Sequence, residues 1–141
     1  MADSIIRILL ADDHQMIRES WRMLLENNPQ MEVVADCANG ADAIRSAREY
    51  HPDIMLVDIN MHPMNGFEVT RQVTSELPGI RVIGMSVNNQ PKYASRMMEL
   101  GAKGYLTKTS PLDEIQFGIR EVYNGREYIC EEVRKHLPPT D

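Results

Sequence analysis

Four apolar runs in this chain each stop on a residue with chemistry to offer. Ile8-Leu9-Leu10-Ala11 ends in Asp12-Asp13, Ile54-Met55-Leu56-Val57 in Asp58, Val82-Ile83-Gly84-Met85 in Ser86, and Tyr105-Leu106-Thr107 in Lys108. Runs that are apolar throughout, rather than alternating, suit strands of a sheet covered on both faces. Strands are expected near residues 5–11, 32–37, 54–57, 80–85 and 104–107. Residues 14–27, 41–50, 66–76, 91–100 and 112–123 read as helices between them. Ile17, Trp21, Leu24 and Leu25 form an apolar stripe in the first, and Ile115, Ile119 and Val122 one in the last. Strands alternating with helices imply right-handed crossovers and an α/β fold, a doubly wound parallel sheet of five strands flanked by five helices. The carboxyl ends of such strands share one edge, where open α/β sheets hold their ligands. Three carboxylates, a hydroxyl and an ammonium would meet there.

The breaks support this order. Asn27-Asn28-Pro29 ends the first helix, Leu77-Pro78-Gly79 stops another and turns the chain, and Gly101 suits a helix C-cap. Ser110-Pro111 places a capping hydroxyl and a proline at the start of the last helix. Beyond Asn124-Gly125, residues 126–137 suit one further short helix. Pro138-Pro139-Thr140-Asp141 has the composition of a linker toward a second domain, and equally of a free C-terminus.

At 141 residues the chain fits one domain with a short appendage, and a domain of this size needs no covalent staples. Cys37 and Cys130 are far apart and form no ligand motif, which favours a reduced, cytoplasmic setting. No secretory leader and no membrane-spanning run is evident, so no membrane partner is expected. The net charge of −6 argues against this chain by itself gripping nucleic acid. Acids gathered in one cleft would attract a divalent cation instead.

Taken singly, each residue has an ordinary role. Asp13 could cap a helix, Asp58 open a turn, Ser86 sit in a loop and Lys108 lie in solvent. Chance would have to place all of them at strand ends of one sheet. Three neighbouring carboxylates repel one another and call for a counter-ion. Mg²⁺ suits them, as a hard ion that takes oxygen ligands and bridges to phosphate. Asp58, alone on its strand, is the candidate nucleophile, and attack on phosphorus would give an aspartyl phosphate. Lys108 would meet a phosphoryl oxygen and Ser86 would donate to another. His14 and His62 fall near the same edge, but no second histidine or cysteine stands at ligand spacing.

The segments Ala11-Asp12-Asp13-His14, Leu56-Val57-Asp58-Ile59-Asn60-Met61, Met64-Asn65-Gly66, Gly84-Met85-Ser86 and Gly101-Ala102-Lys103-Gly104-Tyr105-Leu106-Thr107-Lys108 resemble the receiver domain of bacterial two-component response regulators, most of all the NarL/FixJ (LuxR-type) subfamily. The resemblance covers residues 5–124. It implies a flavodoxin-like fold with strand order 2-1-3-4-5, a receiver over residues 1–124 and a C-terminal extension or linker over residues 125–141. It makes Asp58 the phosphoacceptor. Asp12, Asp13, Asp58 and the backbone carbonyl of Asn60 become the Mg²⁺ ligands, and Lys108 the phosphoryl contact. Ser86 and Tyr105 become the switch pair, with the ring turning inward when the hydroxyl moves. The implied partner is a sensor histidine kinase, with homodimerisation on phosphorylation and DNA bound only through a domain outside this chain. No enzymatic activity is implied beyond the receiver's own phosphorylation and dephosphorylation.

Two positions depart from the family pattern. His62 stands where a proline is usual, with Pro63 following, so a changed loop with intact chemistry is expected. Thr109 replaces a proline after the lysine, leaving open whether the Lys108–Thr109 bond is cis; a cis bond there costs about 2.5–4 kcal/mol. Phe117 falls off the apolar stripe of the last helix and, beside Gly118, suggests a dimer or partner face. The alternative reading is a receiver-like interaction module that works without phosphorylation, for which His62 is the main support. A phosphoaspartyl hydrolase would carry a second aspartate where Asn60 stands. A nucleotide-binding domain would carry a glycine-rich turn where Asp12-Asp13 stands.

Overall fold

Every apolar run forms a strand, and the strands lie side by side in one direction. The computed structural model describes residues 4–137. In chain order it contains β1 (Ile6–Ala11), α1 (Gln15–Glu26), β2 (Met31–Cys37), α2 (Gly40–Tyr50), β3 (Ile54–Asp58), α3 (Gly66–Glu76), β4 (Arg81–Ser86), α4 (Pro91–Glu99), β5 (Gly104–Thr107), α5 (Leu112–Tyr123), β6 (Tyr128–Ile129) and α6 (Glu131–Arg134). The sheet runs β2-β1-β3-β4-β5-β6, parallel throughout. The expected five-stranded order is therefore present and is extended by one strand and one helix. Helices α2, α3 and α4 adjoin one another in sequence. The turn after α1 reaches α5 through Asn28 and Gln116.

The central strand β3 is buried at every position. Ile8, Leu9, Ile54, Met55, Leu56, Val57 and Val82 are fully inaccessible. Only strands with helices on both faces bury consecutive residues this way. Local signals set the helix ends. Asn65 caps α3 through a reciprocal box with Glu68, and Asn39 caps α2. Gly101 follows α4 with φ of 104°, a conformation glycine adopts without strain.

Three expectations need correction. Ser110 does not cap α5: Pro111 is the N-cap without a side-chain bond, and the Ser110 hydroxyl pairs with Thr107 at 3.0 Å. Leu24 is not part of the buried stripe of α1; it is 44% exposed, while Trp21 and Leu25 are buried. Gly118 does not leave room for a partner, because a Cβ there would sit 2.8 Å from the Tyr128 ring of the same chain. Residues 126–137 hold more than one short helix. Cys130 and Val133 are fully buried there and belong to the same core. The linker-like Pro138-Pro139-Thr140-Asp141 lies outside the described residues.

Candidate functional site

The pairing register brings the strand ends into line. Ala11 lies opposite Val57, Asp58 opposite Met85, and Ser86 opposite Thr107. The residues that follow β1 and β5, Asp12 and Lys108, thus reach the same edge as Asp58 and Ser86. The parallel hydrogen-bond pattern runs past the strands: Asp12 N–H donates to the Cys37 carbonyl (3.0 Å) and Lys108 N–H to that of Ser86 (2.8 Å). These bonds fix the backbone from which the side chains project.

At the centre, the Lys108 ammonium donates to Asp12 Oδ2 at 2.6 Å and lies 3.2 Å from Asp58 Oδ2. Asp58 Oδ1 accepts from the Asn60 main-chain N–H at 3.0 Å. Asp12 Oδ1 accepts from the main-chain N–H of His14 at 2.9 Å. Lys108 is 9% exposed, and the carboxylates of Asp12 and Asp58 are only 2% and 1% exposed. Burial raises the Asp58 carboxyl above its ordinary range, and the Asp12 charge adds to this. The Asn60 N–H and the Lys108 charge oppose it. Two buried oxygens, Asp58 Oδ2 and Asp13 Oδ1, have no aligned hydrogen-bond donor. Asp58 Oδ2 has the Lys108 charge beside it without hydrogen-bond geometry, so it retains acceptor capacity.

Ligand atoms of Asp12, Asp13, His14 and Asp58 all lie within 4.8 Å of one another. Opposed oxygens around a Mg²⁺ ion stand about 4.2 Å apart, twice a bond of about 2.1 Å. The donor set, rich in carboxylate and holding two orphaned oxygens, fits a hard divalent cation. His14 belongs to this cluster, with Nδ1 3.0 Å from Asp13 Oδ1, against the expectation from ligand spacing. His62 is exposed and is not in it. Asn60 reaches the site through its main-chain N–H and its side-chain amide.

Ser86 is buried next to this centre. Its Oγ accepts from the Asn88 N–H at 3.0 Å and from Asn60 Nδ2 at 3.2 Å. Tyr105 is fully buried, and its hydroxyl donates to the Asn88 carbonyl at 2.9 Å. Burial pushes its phenol up to about 12.

Three features escaped sequence reading. Arg18 donates to the Asp12 carbonyl at 2.7 Å and so steadies the acidic loop. The Asn60–Ser86 bond joins the loops after β3 and β4. Asn88 presents its carbonyl to Tyr105. Nothing in residue spacing announces the first, because α1 swings Arg18 back over the end of its own strand.

The two family departures leave the centre in place. The His62–Pro63 bond is cis, and the Lys108–Thr109 bond is not among the cis bonds of the described residues. A Cβ on Gly66 would lie 2.6 Å from the Asp58 carbonyl oxygen, so the loop closes tightly on the end of β3.

A parallel sheet carrying an acidic pair, a lone aspartate, a hydroxyl and a lysine on successive strand ends defines a receiver of the response-regulator type. The chain belongs to that family, since the model of the response regulator receiver domain matches residues 8–120. Transcriptional regulatory protein DegU of Brevibacillus brevis is 36% identical over 132 residues, covering 94% of this chain and 56% of DegU. Response regulator GacA of Pseudomonas aeruginosa is 33% identical over 133 residues, covering 94% and 62%. A LuxR-family response regulator from Aurantimonas sp. SI85-9A1 superposes with a TM-score of 0.90 at 32% identity, covering 94% of this chain and 95% of the other. The signal receiver domain of the putative NarL of Mycobacterium tuberculosis gives 0.83 at 29%, covering 87% and 99%. These similarities place the chain with the NarL/FixJ regulators. It spans about 56–62% of the curated relatives it matches first. No helix among the described residues is long and apolar enough to cross a membrane.

Proposed function

We propose that this chain is the phosphoacceptor module of a two-component regulator, taking a phosphoryl group on Asp58 from a phosphohistidine of a sensor kinase. The observation that carries the reading is Asp58 Oδ2, a buried carboxylate oxygen with no aligned donor, 3.2 Å from Lys108 Nζ. Asp12, Asp13, Asp58 and the Asn60 carbonyl would hold Mg²⁺, whose bound charge would offset repulsion between the carboxylates and an incoming phosphoryl group. Asp58 Oδ2 forms the O–P bond as the N–P bond of the donor breaks, and the departing imidazole takes up a proton. Lys108 turns from Asp12 to a phosphoryl oxygen, and Ser86 donates its hydroxyl to another. Thereafter water returns the group to phosphate.

The output is a change of surface that starts at Ser86 and Tyr105, read by transcription machinery through a DNA-binding domain outside this chain. Phe117 is 49% exposed on α5 and offers a contact for a second copy in the phosphorylated state. The test is direct. Incubated with Mg²⁺ and acetyl phosphate, the protein should gain one phosphoryl mass, and Asp58→Asn should gain none. Equal gain in Asp58→Asn, or none in wild type, overturns the assignment. The second outcome would favour the phosphorylation-independent interaction module.

A further inference from the structure

The segment after α5 does not leave the domain. Tyr128 N–H donates to the Lys103 carbonyl and Cys130 N–H to the Tyr105 carbonyl, both at 3.0 Å, which pairs β6 with β5. On one side the segment is fastened to α5. The Tyr128 hydroxyl donates to Glu114 Oε2 at 2.5 Å, the Glu131 N–H donates to the same oxygen at 2.8 Å, and the Tyr128 ring lies against Phe117 and Gly118. On the other side α6 packs against α4 and β5 and buries Cys130 and Val133. Its polar tie on that side is Asn89 Nδ2, which donates to Glu132 Oε2 at 2.7 Å.

Asn89 belongs to the loop that Ser86 organises. The Ser86 Oγ accepts from the Asn88 N–H, Asn88 presents its carbonyl to Tyr105, and Asn89 next to it reaches Glu132. One hydroxyl therefore holds the turn from which both the Tyr105 and the α6 contacts hang. The attachment to α5 involves no residue of that loop.

We infer that α6 is a clasp over β5, held shut by the Ser86–Asn88–Asn89–Glu132 chain and opened when Ser86 leaves Asn88 for a phosphoryl group on Asp58. The inference rests on the proposed role of Asp58 only for its trigger. When Ser86 turns toward Asp58, the Asn88 N–H loses its acceptor and the loop relaxes. Asn89 then loses its hold on Glu132, and α6 lifts from α4. Tyr128 stays fastened to α5 through Glu114 and Phe117, while the Glu131 N–H leaves Glu114 and Arg134 leaves the Ile129 carbonyl, so the motion begins at Cys130. Residues 131–137 change their position relative to the sheet, which turns a local charge event into a movement of α6. Coupling of this kind is reciprocal: a partner that keeps α6 docked holds Ser86 on Asn88 and opposes phosphorylation.

Cys130 reports the clasp, because it is buried at the start of α6 with its thiol 4.0 Å from Thr107 Oγ1. Cys37, also buried but on β2, is the internal reference. Maleimide labelling of the whole 141-residue chain, mapped by peptide mass, gives both rates in one sample. In plain buffer, Glu132→Ala and Ser86→Ala should each label Cys130 about tenfold faster than wild type, with Cys37 unchanged; a tenfold opening corresponds to about 1.4 kcal/mol, within the worth of a charge-assisted hydrogen bond. Asn89→Ala should match Glu132→Ala. Wild type loaded with Mg²⁺ and beryllofluoride should show the same rise, and Asp58→Asn should not. Unchanged Cys130 rates in Ser86→Ala and Glu132→Ala overturn the clasp. An unchanged rate in loaded wild type overturns its trigger, provided acetyl phosphate adds mass to the protein. Absence of that mass instead defeats the proposed function while the variant rates still decide the clasp.

Discussion

At the amino end of the sheet, polar groups find their partners. Asp53 accepts from the Arg7 main-chain N–H at 2.9 Å, the Arg7 guanidinium donates to the His51 carbonyl at 2.9 Å, and Arg48 and Glu76 pair in solvent between α2 and α3. At the carboxyl end, four of the five buried polar residues among those described, Asp12, Asp58, Ser86 and Thr107, are crowded together, and two carboxylate oxygens lack aligned donors. Buried groups left short of hydrogen bonds destabilise a fold unless a ligand completes them. The same strands thus begin in a region arranged for stability and end in one arranged for chemistry.

The sharpest way to test this contrast is to remove Lys108. Its ammonium is the cation that neutralises Asp12 and Asp58 within the fold. Lys108→Ala leaves two buried carboxylates facing each other, and a loss of about 3 kcal/mol in unfolding free energy is expected in Mg²⁺-free buffer at pH 7. Urea denaturation measures it. Addition of Mg²⁺ should recover part of the loss, by about 2.7 kcal/mol at a hundredfold excess over the dissociation constant. A loss below 1 kcal/mol would show that the carboxyl end is not under electrostatic strain.

At the amino end the vulnerable position is geometric. Gly101 has φ of 104°, and a Cβ there would sit 2.9 Å from Thr74 Cβ. Gly101→Ala combines backbone strain with that contact and should cost about 1–3 kcal/mol. Unlike the Lys108 variant, it should respond to Mg²⁺ no more than wild type does.

Much of this arrangement was legible in the sequence because parallel strands buried on both faces leave continuous apolar runs. The residue that ends such a run is then at the ligand edge by topology alone. Asp12, Asp58, Ser86 and Lys108 came together for that reason. β6 was not legible. Tyr128 and Ile129 are too few to show a period, and they pair with β5 only because Gly118 leaves room for the Tyr128 ring. Ser110 followed by proline had the form of a cap, yet its hydroxyl turned back to Thr107 within the same loop. Leu24 fitted the helical stripe by spacing, but lies at the solvent boundary of α1. The β6 miss concerns a contact between distant segments, and the other two concern which way a side chain turns, neither of which spacing encodes.

Asp58 gives the contrast a pH signature. Its carboxyl is raised in the fold, so the native state keeps a proton there to higher pH than the unfolded chain, whose value is about 3.9. Across the interval between those two values the native state binds more protons, and stability contributed by this site falls as pH rises. Above the folded value the penalty is complete. Asp58→Asn removes the ionisation and should stabilise the Mg²⁺-free protein by about 1–2 kcal/mol at pH 7. That advantage should vanish as the pH drops toward the unfolded value. Saturating Mg²⁺ should narrow the gap at pH 7, since only wild type has the full carboxylate set. An advantage that persists at low pH would assign the effect to packing rather than charge.

The smallest effect belongs to Arg48. It makes a bidentate solvent-facing pair, with two nitrogens on Glu76, and so looks like a stabilising contact. Both partners are open to water, and in that setting Coulomb attraction is offset by side-chain entropy and screened by salt. Arg48→Ala should leave the urea midpoint unchanged at 0.15 M salt on the order of physiological ionic strength. A clear shift would mean that the amino end also depends on its charges. The distinction between the two ends would then lie in how their charges are partnered, because a solvated pair can relax into water when one member is lost, and the carboxylates around Lys108 have no such refuge.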